Sequence, residues 1–265
     1  MTTTFADREH IHLICILLVF EGSLSLYLRN SILGLQGTII SSAPFQVKTE
    51  EIILGGVIYK IQSLLDMQQF SDPEGAAAAL GISSALWPLF GRVWPMATVL
   101  AQVMLTEPLS ERRVLEVGCG LALPSIIVQS QGGDITASDY HPLTRSFLVA
   151  NAKLNLLPEI SFKTGNWNVS SLAPEKYDLI IGSDLLYEEV IVERLASFTD
   201  HHLDRQGRLI LVDPGRGNHR AFARAMERRG FAHSWTDLKL YPEDGLRLNG
   251  FIFRFCRSGS TERRT

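Results

Sequence analysis

A chain of 265 residues can form one large domain, or one domain with an extension, and 46% apolar with 20% charged residues is ordinary for a globular protein. The net charge of −3 gives no electrostatic reason to expect nucleic acid as a partner. Cys15, Cys119 and Cys256 are odd in number and far apart, which excludes a disulfide framework or a zinc cluster and points to a reducing, cytoplasmic setting.

Residues 11–20 are almost continuously apolar but too short to span a bilayer, and Glu21 follows at once. Asp7, Arg8 and Glu9 ahead of them are not the basic flank of a signal peptide. The stretch reads as a buried or docked helix, or as a leader over 1–41 foreign to the domain, and no membrane partner is expected. Residues 45–54 and 57–65 form a predicted β-hairpin, because Gly55-Gly56 supplies the positive φ angles of a tight turn. A loop and short helix follow to residue 85, with Ser71-Asp72-Pro73-Glu74 as the helix start. The hairpin and this loop, 42–85, are expected to form a cover segment. The main domain is expected over 86–257, with a polar tail at 258–265.

Trp87-Pro88 and Trp94-Pro95 make a bulky, conformationally fixed segment, and Pro95 suits the first turn of a helix over 96–105. A tryptophan here is usually core; Trp94 is also a candidate ligand contact because it stands shortly ahead of a glycine turn. That turn is the most informative stretch. Val114-Leu115-Glu116-Val117 is a strand, Gly118-Cys119-Gly120 a break, and an apolar helix then runs to about Ser130. Strand, glycine turn and helix open a doubly wound α/β domain, whose ligands sit at that turn against free helix N–H groups. A dinucleotide fingerprint wants a third glycine where Leu123 stands, while Glu116 suits a ligand that carries a cation. The plainer alternative is a βα turn with no ligand.

Residues 132–139 form a second strand ending in Asp139, 23 residues after Glu116. An acid at that place accepts both hydroxyls of a ribose, because a carboxylate has two acceptor oxygens and the diol two donors. Tyr140 is placed to pack on a base. Asn151 and Asn155 lie on the next helix and cap or bridge to a neighbouring loop. A third strand over 160–163 leads to Gly165-Asn166-Trp167, where Asn166 suits an adenine edge and Trp167 packs beside it or belongs to the core. Residues 177–184 form a nearly continuous apolar strand, as burial on both faces requires, ending at Asp184 with Tyr187 beyond. A fifth strand over 208–213 also ends acidic, an amphipathic helix spans 222–229, and two strands over 233–240 and 248–256 flank a turn near 242–245.

With Glu116-x-Gly118-x-Gly120-x-Ala122, Asp139, Asn166-Trp167 and Asp184-x-x-Tyr187 in this order, roughly residues 84–256 resemble class I, seven-strand methyltransferases that use S-adenosyl-L-methionine (SAM). Trp94 and the Asp184-x-x-Tyr187 pair are similar more narrowly to the methyltransferase family 16 protein lysine methyltransferases. Ala122 and Pro124 depart from the common form of the glycine turn. The resemblance implies an α/β fold, a doubly wound, mostly parallel seven-stranded sheet in the order 3-2-1-4-5-7-6, with SAM as cofactor. Glu116 and Gly118 would meet its methionine part, together with Cys119 and Gly120 of the same turn. Asp139 would hold the ribose, Asn166 and Trp167 the adenine, with Trp94, Tyr140 and Ser183 as further contacts. Asp184 and Tyr187 would orient the acceptor nitrogen of a protein substrate. A small-molecule acceptor and a non-catalytic SAM-fold binding subunit are the alternatives. Leu123 and the lack of a Ser/Tyr/Lys set argue against an NAD oxidoreductase. The lack of an Asn-Pro-Pro-Tyr motif argues against a nucleic-acid substrate.

Overall fold

The computed structural model describes residues 45–165, 167, 175–240 and 248–259. The apolar stretch 11–20, Asn166 and the turn near 242–245 lie outside these residues. The hairpin consists of β1 (Val47–Leu54) and β2 (Val57–Leu64), paired so that Ile53 faces Ile58 and Glu51 faces Lys60. Gly55 and Gly56 both have positive φ, 57° and 79°, as a two-residue turn matched to the strand twist requires. Its inner face buries Leu54, Tyr59 and Ile61. After it, α1 (Ala76–Ala79) begins later than Ser71-Asp72-Pro73-Glu74 suggested. Gly75 first turns the chain at φ 67°, and Asp72 caps the helix from a distance, accepting the Ala77 and Ala78 N–H groups at 3.0 and 2.8 Å.

A 3-10 turn over Trp87–Gly91 buries Trp87 in a ring cluster with Phe45, Phe90 and His141. Helix α2 (Pro95–Met104) starts on its proline, where no N–H partner is needed. Then come β3 (Arg113–Val117), α3 (Leu123–Ser130), β4 (Asp134–Asp139), α4 (Thr144–Leu154), β5 (Ser161–Thr164) and β6 (Tyr177–Ser183). The chain ends with α5 (Glu189–His202), β7 (Leu203–Asp213), α6 (His219–Glu227), β8 (Phe231–Leu240) and β9 (Leu248–Arg257). The sheet order is β5-β4-β3-β6-β7-β9-β8, with β9 antiparallel to both neighbours and the other pairings parallel. This is the expected 3-2-1-4-5-7-6 topology. Strand β7 starts five residues earlier than its apolar run, because Leu203 pairs with Tyr177 across an irregularity in register.

The central strands send alternate residues to opposite faces. Val114, Leu179, Ile181, Ile210 and Val212 join one core with α2, α3, α4 and the hairpin. Leu115, Val117, Ile180, Leu209 and Leu211 join the other with α5 and α6. Each such side chain contributes about 1.5–3 kcal/mol on burial, which explains the unbroken apolar runs. Among the described residues no helix is long and apolar enough to cross a membrane.

The hairpin is fastened to this body by the two asparagines of α4. Asn151 accepts the Gln62 N–H at 2.7 Å and donates to the Gln62 and Leu121 carbonyls at 3.4 and 3.2 Å. Asn155 accepts the Lys60 N–H at 2.9 Å and donates to its carbonyl at 2.7 Å. A helix side-chain pair thus completes the free edge of β2, and Asn151 also ties it to the chain just past the glycine turn. Because Asn151 is fully buried, Asn151→Ala is expected to cost about 1–3 kcal/mol through unsatisfied backbone groups, and the half-exposed Asn155→Ala less. Urea denaturation checks this; equal losses would place the weight of the attachment elsewhere.

Candidate functional site

The turn after β3 winds through three left-handed residues, Gly118 (φ 62°), Gly120 (φ 51°) and Ala122 (φ 60°). Ala122 stands where related turns often carry glycine and keeps the same backbone shape, at the steric cost of a left-handed alanine. It is the N-cap of α3, and Pro124 sits in the first helical turn, where a proline is readily accommodated. The turn is held by Cys119 N–H to the Ser138 carbonyl at 3.0 Å and Ala122 N–H to the Cys119 carbonyl at 2.7 Å. A Cβ on Gly120 would stand 3.2 Å from the Phe90 carbonyl oxygen. One on Gly118 would strike Leu185 at 2.5 Å and touch Trp167 at 3.4 Å.

Two carboxylates fasten this turn. Glu116 is 2% exposed, and its Oε2 accepts both the N–H (2.9 Å) and the hydroxyl of Ser125 in the first turn of α3. Asp139, at the tip of β4, is 8% exposed; Oδ2 accepts the Gly120 N–H and Oδ1 the His141 N–H, both at 2.9 Å. Burial pushes the Glu116 carboxyl up to about 8, opposed by its Ser125 bonds and assisted by the nearby Asp139 charge. Burial raises Asp139 as well, against three backbone N–H groups. Neither acid forms an ion pair with a described lysine or arginine. Two buried acids without a counter-charge fit a ligand that brings its own cation, as a sulfonium amino acid does, and the Asp139 carboxylate keeps acceptor capacity for a ribose hydroxyl beside its backbone partners.

The other cofactor-side candidates fall around the same edge. Trp167, itself left-handed at φ 59°, lies over Gly118, while Asn166 is outside the described residues. Tyr140 lies beside Tyr187, so a tyrosine after β4 meets one after β6 across the tip of β3. The Cys119 thiol is buried and pushed far up by burial, which leaves only its backbone for a ligand. Trp94 donates its indole N–H to the Leu89 carbonyl at 2.9 Å, with the Arg92 guanidinium 5.1 Å above its ring. Ser183 ends β6, half-buried. A cavity of about 220 Å³ beside the edge strand, lined by Arg145, Leu148 and Phe162, contains none of these residues.

Of the two acceptor-side candidates, Asp184 is left-handed at φ 58°, and its N–H reaches the Val212 carbonyl at 2.9 Å. Its carboxylate pairs with Arg216 at 2.9 Å. Burial raises Asp184, the Arg216 charge lowers it and Asp213 raises it. Tyr187 is 40% exposed, with its hydroxyl pushed upward by burial. Sequence reasoning missed Arg216 and Asn218 of the β7–α6 loop. The signal was present in Asp213-Pro-Gly-Arg-Gly-Asn218, a turn-rich segment following an acid-tipped strand.

Residues 88–228 match the family model described as lysine methyltransferase. The chain is 29% identical over 133 residues to the electron transfer flavoprotein beta subunit lysine methyltransferase of Danio rerio, covering 49% of this chain and 51% of that protein. It is 33% identical over 105 residues to the histone-arginine methyltransferase METTL23 of Rattus norvegicus, covering 36% and 46%. The chain thus spans about half the length of the curated relatives it matches. Its fold matches the T. Thermophilus 16S rRNA N2 G1207 methyltransferase in complex with AdoMet and guanosine at TM-score 0.55 and 16% identity, covering 81% of this chain and 52% of that one.

The state of Glu116 can be read from stability. Its carboxyl is near 4.5 when unfolded and about 8 when folded, so its stabilising contribution is complete below about 4.5, falls as pH rises and levels off above about 8. Glu116→Gln keeps an acceptor for Ser125. It is expected to match wild type near pH ~5 and to exceed it near pH ~9 by up to several kcal/mol, at roughly 1.4 kcal/mol per unit. Urea denaturation at the two pH values checks this, and an offset that does not change with pH would contradict the burial-driven shift.

Proposed function

We propose that this chain, which belongs to the lysine methyltransferase family, transfers a methyl group from SAM to a side-chain nitrogen of a protein, in the first instance lysine. The observation that carries the reading is the pair of buried, unpaired acids Glu116 and Asp139, on the tips of adjacent parallel strands beside a glycine turn. Burial raises both acids, and a cationic nucleoside would draw them back to their charged forms, whereas the pyrophosphate of a dinucleotide would gain nothing from them. The matched relatives are named for lysine and arginine acceptors, which supports a protein nitrogen as the target.

In this reading Glu116, Gly118, Cys119 and Gly120 receive the methionine part and Asp139 the ribose. Tyr140, Asn166, Trp167 and Ser183 surround the adenine, and Trp94 closes the segment ahead of the turn. SAM supplies an already activated methyl carbon when bound. The chain's own task is to hold the acceptor nitrogen in line and exclude water. Asp184 and Tyr187 take that task at the tip of β6, next to the cofactor half. Tyr187 also braces Tyr140, so the two halves share one contact. A lysine nitrogen must arrive without its proton, and a partly dry site favours the neutral amine. Cys119 and Cys256 are free thiols, which supports a cytoplasmic setting.

Incubation with methyl-labelled SAM and a cell lysate, followed by separation of protein from metabolites, tests the reaction. Label in protein is expected. Label in metabolites would mark a small-molecule enzyme, and SAM binding without transfer a non-catalytic subunit. Asp139→Ala is expected to weaken SAM binding by about 1–3 kcal/mol in calorimetry, and an unchanged affinity would remove its ribose role.

A further inference from the structure

An acid beside an acceptor amine creates a chemical conflict. A carboxylate within hydrogen-bond reach favours the ammonium form, which has no lone pair to give. Asp184, however, is not bare. Arg216 Nη1 lies 2.9 Å from its Oδ1, in a pair whose carboxylate side chain is 10% exposed and whose guanidinium side chain is 49% exposed. Arginine keeps its charge at every working pH, so the neutralisation does not titrate away.

The β7–α6 loop is shaped to deliver this charge. Asp213, 2% exposed at the tip of β7, accepts the Gly215 N–H at 2.7 Å and also the Arg216 N–H. Gly215 takes φ 81° with the Phe251 ring 2.7 Å from where a Cβ would stand, and Gly217 takes φ 114°. Asn218 donates to the Leu186 carbonyl at 3.0 Å, closing the loop onto the segment between Asp184 and Tyr187. The loop is therefore pinned at both ends with Arg216 between the pins.

The other charged or titratable groups around Asp184 do not replace Arg216. Asp213 has the wrong sign and is raised by burial. His219, at the start of α6, stacks on Phe251 and is lowered by burial, hence neutral near pH ~7. Arg220 acts on His219, and Glu188 and Tyr140 act on the Tyr187 hydroxyl.

We propose that Arg216 is a positioning residue for the acceptor: it neutralises Asp184, so that the carboxylate accepts a hydrogen bond from the incoming lysine nitrogen without holding it as an ammonium ion. The inference rests on the proposed transfer to an amine. The amine loses its proton to solvent before the step. Its lone pair then forms the N–C bond while the S–C bond breaks, the electron pair stays on sulfur as a neutral thioether, and the positive charge passes to the methylated nitrogen.

The test uses the full chain, methyl-labelled SAM and, as acceptor, the purified lysate protein that takes up most label. It follows kcat/KM from about pH 6 to about pH 10 for wild type, Arg216→Gln, Arg216→Lys and the double variant Asp184→Asn/Arg216→Gln. Arg216→Gln is expected to move the acid limb up by about one unit, a roughly tenfold loss near neutrality that fades at high pH. Arg216→Lys should restore most of it, and the double variant should bring the limb back because no bare carboxylate remains. Circular dichroism at each pH gives the folded fraction of every variant, and rates are normalised to it, so poor folding does not blur the outcome. A loss of equal size at every pH would make Arg216 only a prop for its loop and overturn the proposal, as would an unmoved limb. Wild-type protein that labels nothing would bring down the methyl-transfer reading itself, whereas labelling with coincident limbs would remove only the role of Arg216.

Discussion

Burying a carboxylate at the tip of a strand is costly unless something compensates it, and this fold does so twice on neighbouring strands. Glu116 reaches from β3 to Ser125 on α3, and Asp139 reaches from β4 back to Gly120. These bonds set the shape of the glycine turn and the start of the helix behind it. They satisfy hydrogen-bonding capacity but supply no net positive charge. In the proposed reading a cationic ligand completes the electrostatics, and the acids serve as binding groups as well as fasteners.

Side chains of neighbouring loops cover the Gly118 face of this edge. Leu185, just past β6, and Trp167, past β5, lie against Gly118, while Tyr140 and Tyr187 join hands above the tip of β3. In the proposed reading a compound that enters here meets residues of the acceptor side, and the short segment from Asp184 to Tyr187 couples cofactor binding to acceptor positioning. The same segment is braced from behind by the β7–α6 loop, through Arg216 and Asn218.

Much of this was legible in the residues because it is local. Two glycines between β-rich runs specify a hairpin, and burial of both faces of β3, β6 and β7 demands apolar residues at most of their central positions. The spacing of Glu116 and Asp139 follows from the length of one βα unit. What was not legible depends on contacts between distant parts of the chain. Asn151 and Asn155 complete the edge of β2 about 90 residues earlier, and nothing in a helical Asn-Ala-Lys-Leu-Asn run names that partner. Asp72 caps a helix across an intervening left-handed glycine, so the helix begins later than the motif suggests. Asp184 and Arg216 lie on successive strand-end loops, and only the parallel pairing of β6 with β7 makes them neighbours.

The most direct measurement is the structure of the chain crystallised with SAM. The compound should lie across Gly118 and Gly120, with its ribose hydroxyls hydrogen-bonded to Asp139 and with Leu185 and Trp167 moved off the glycine face to admit it. Density for the compound elsewhere, with Asp139 still bonded only to backbone N–H groups and the Gly118 face still covered, would contradict the site at its root.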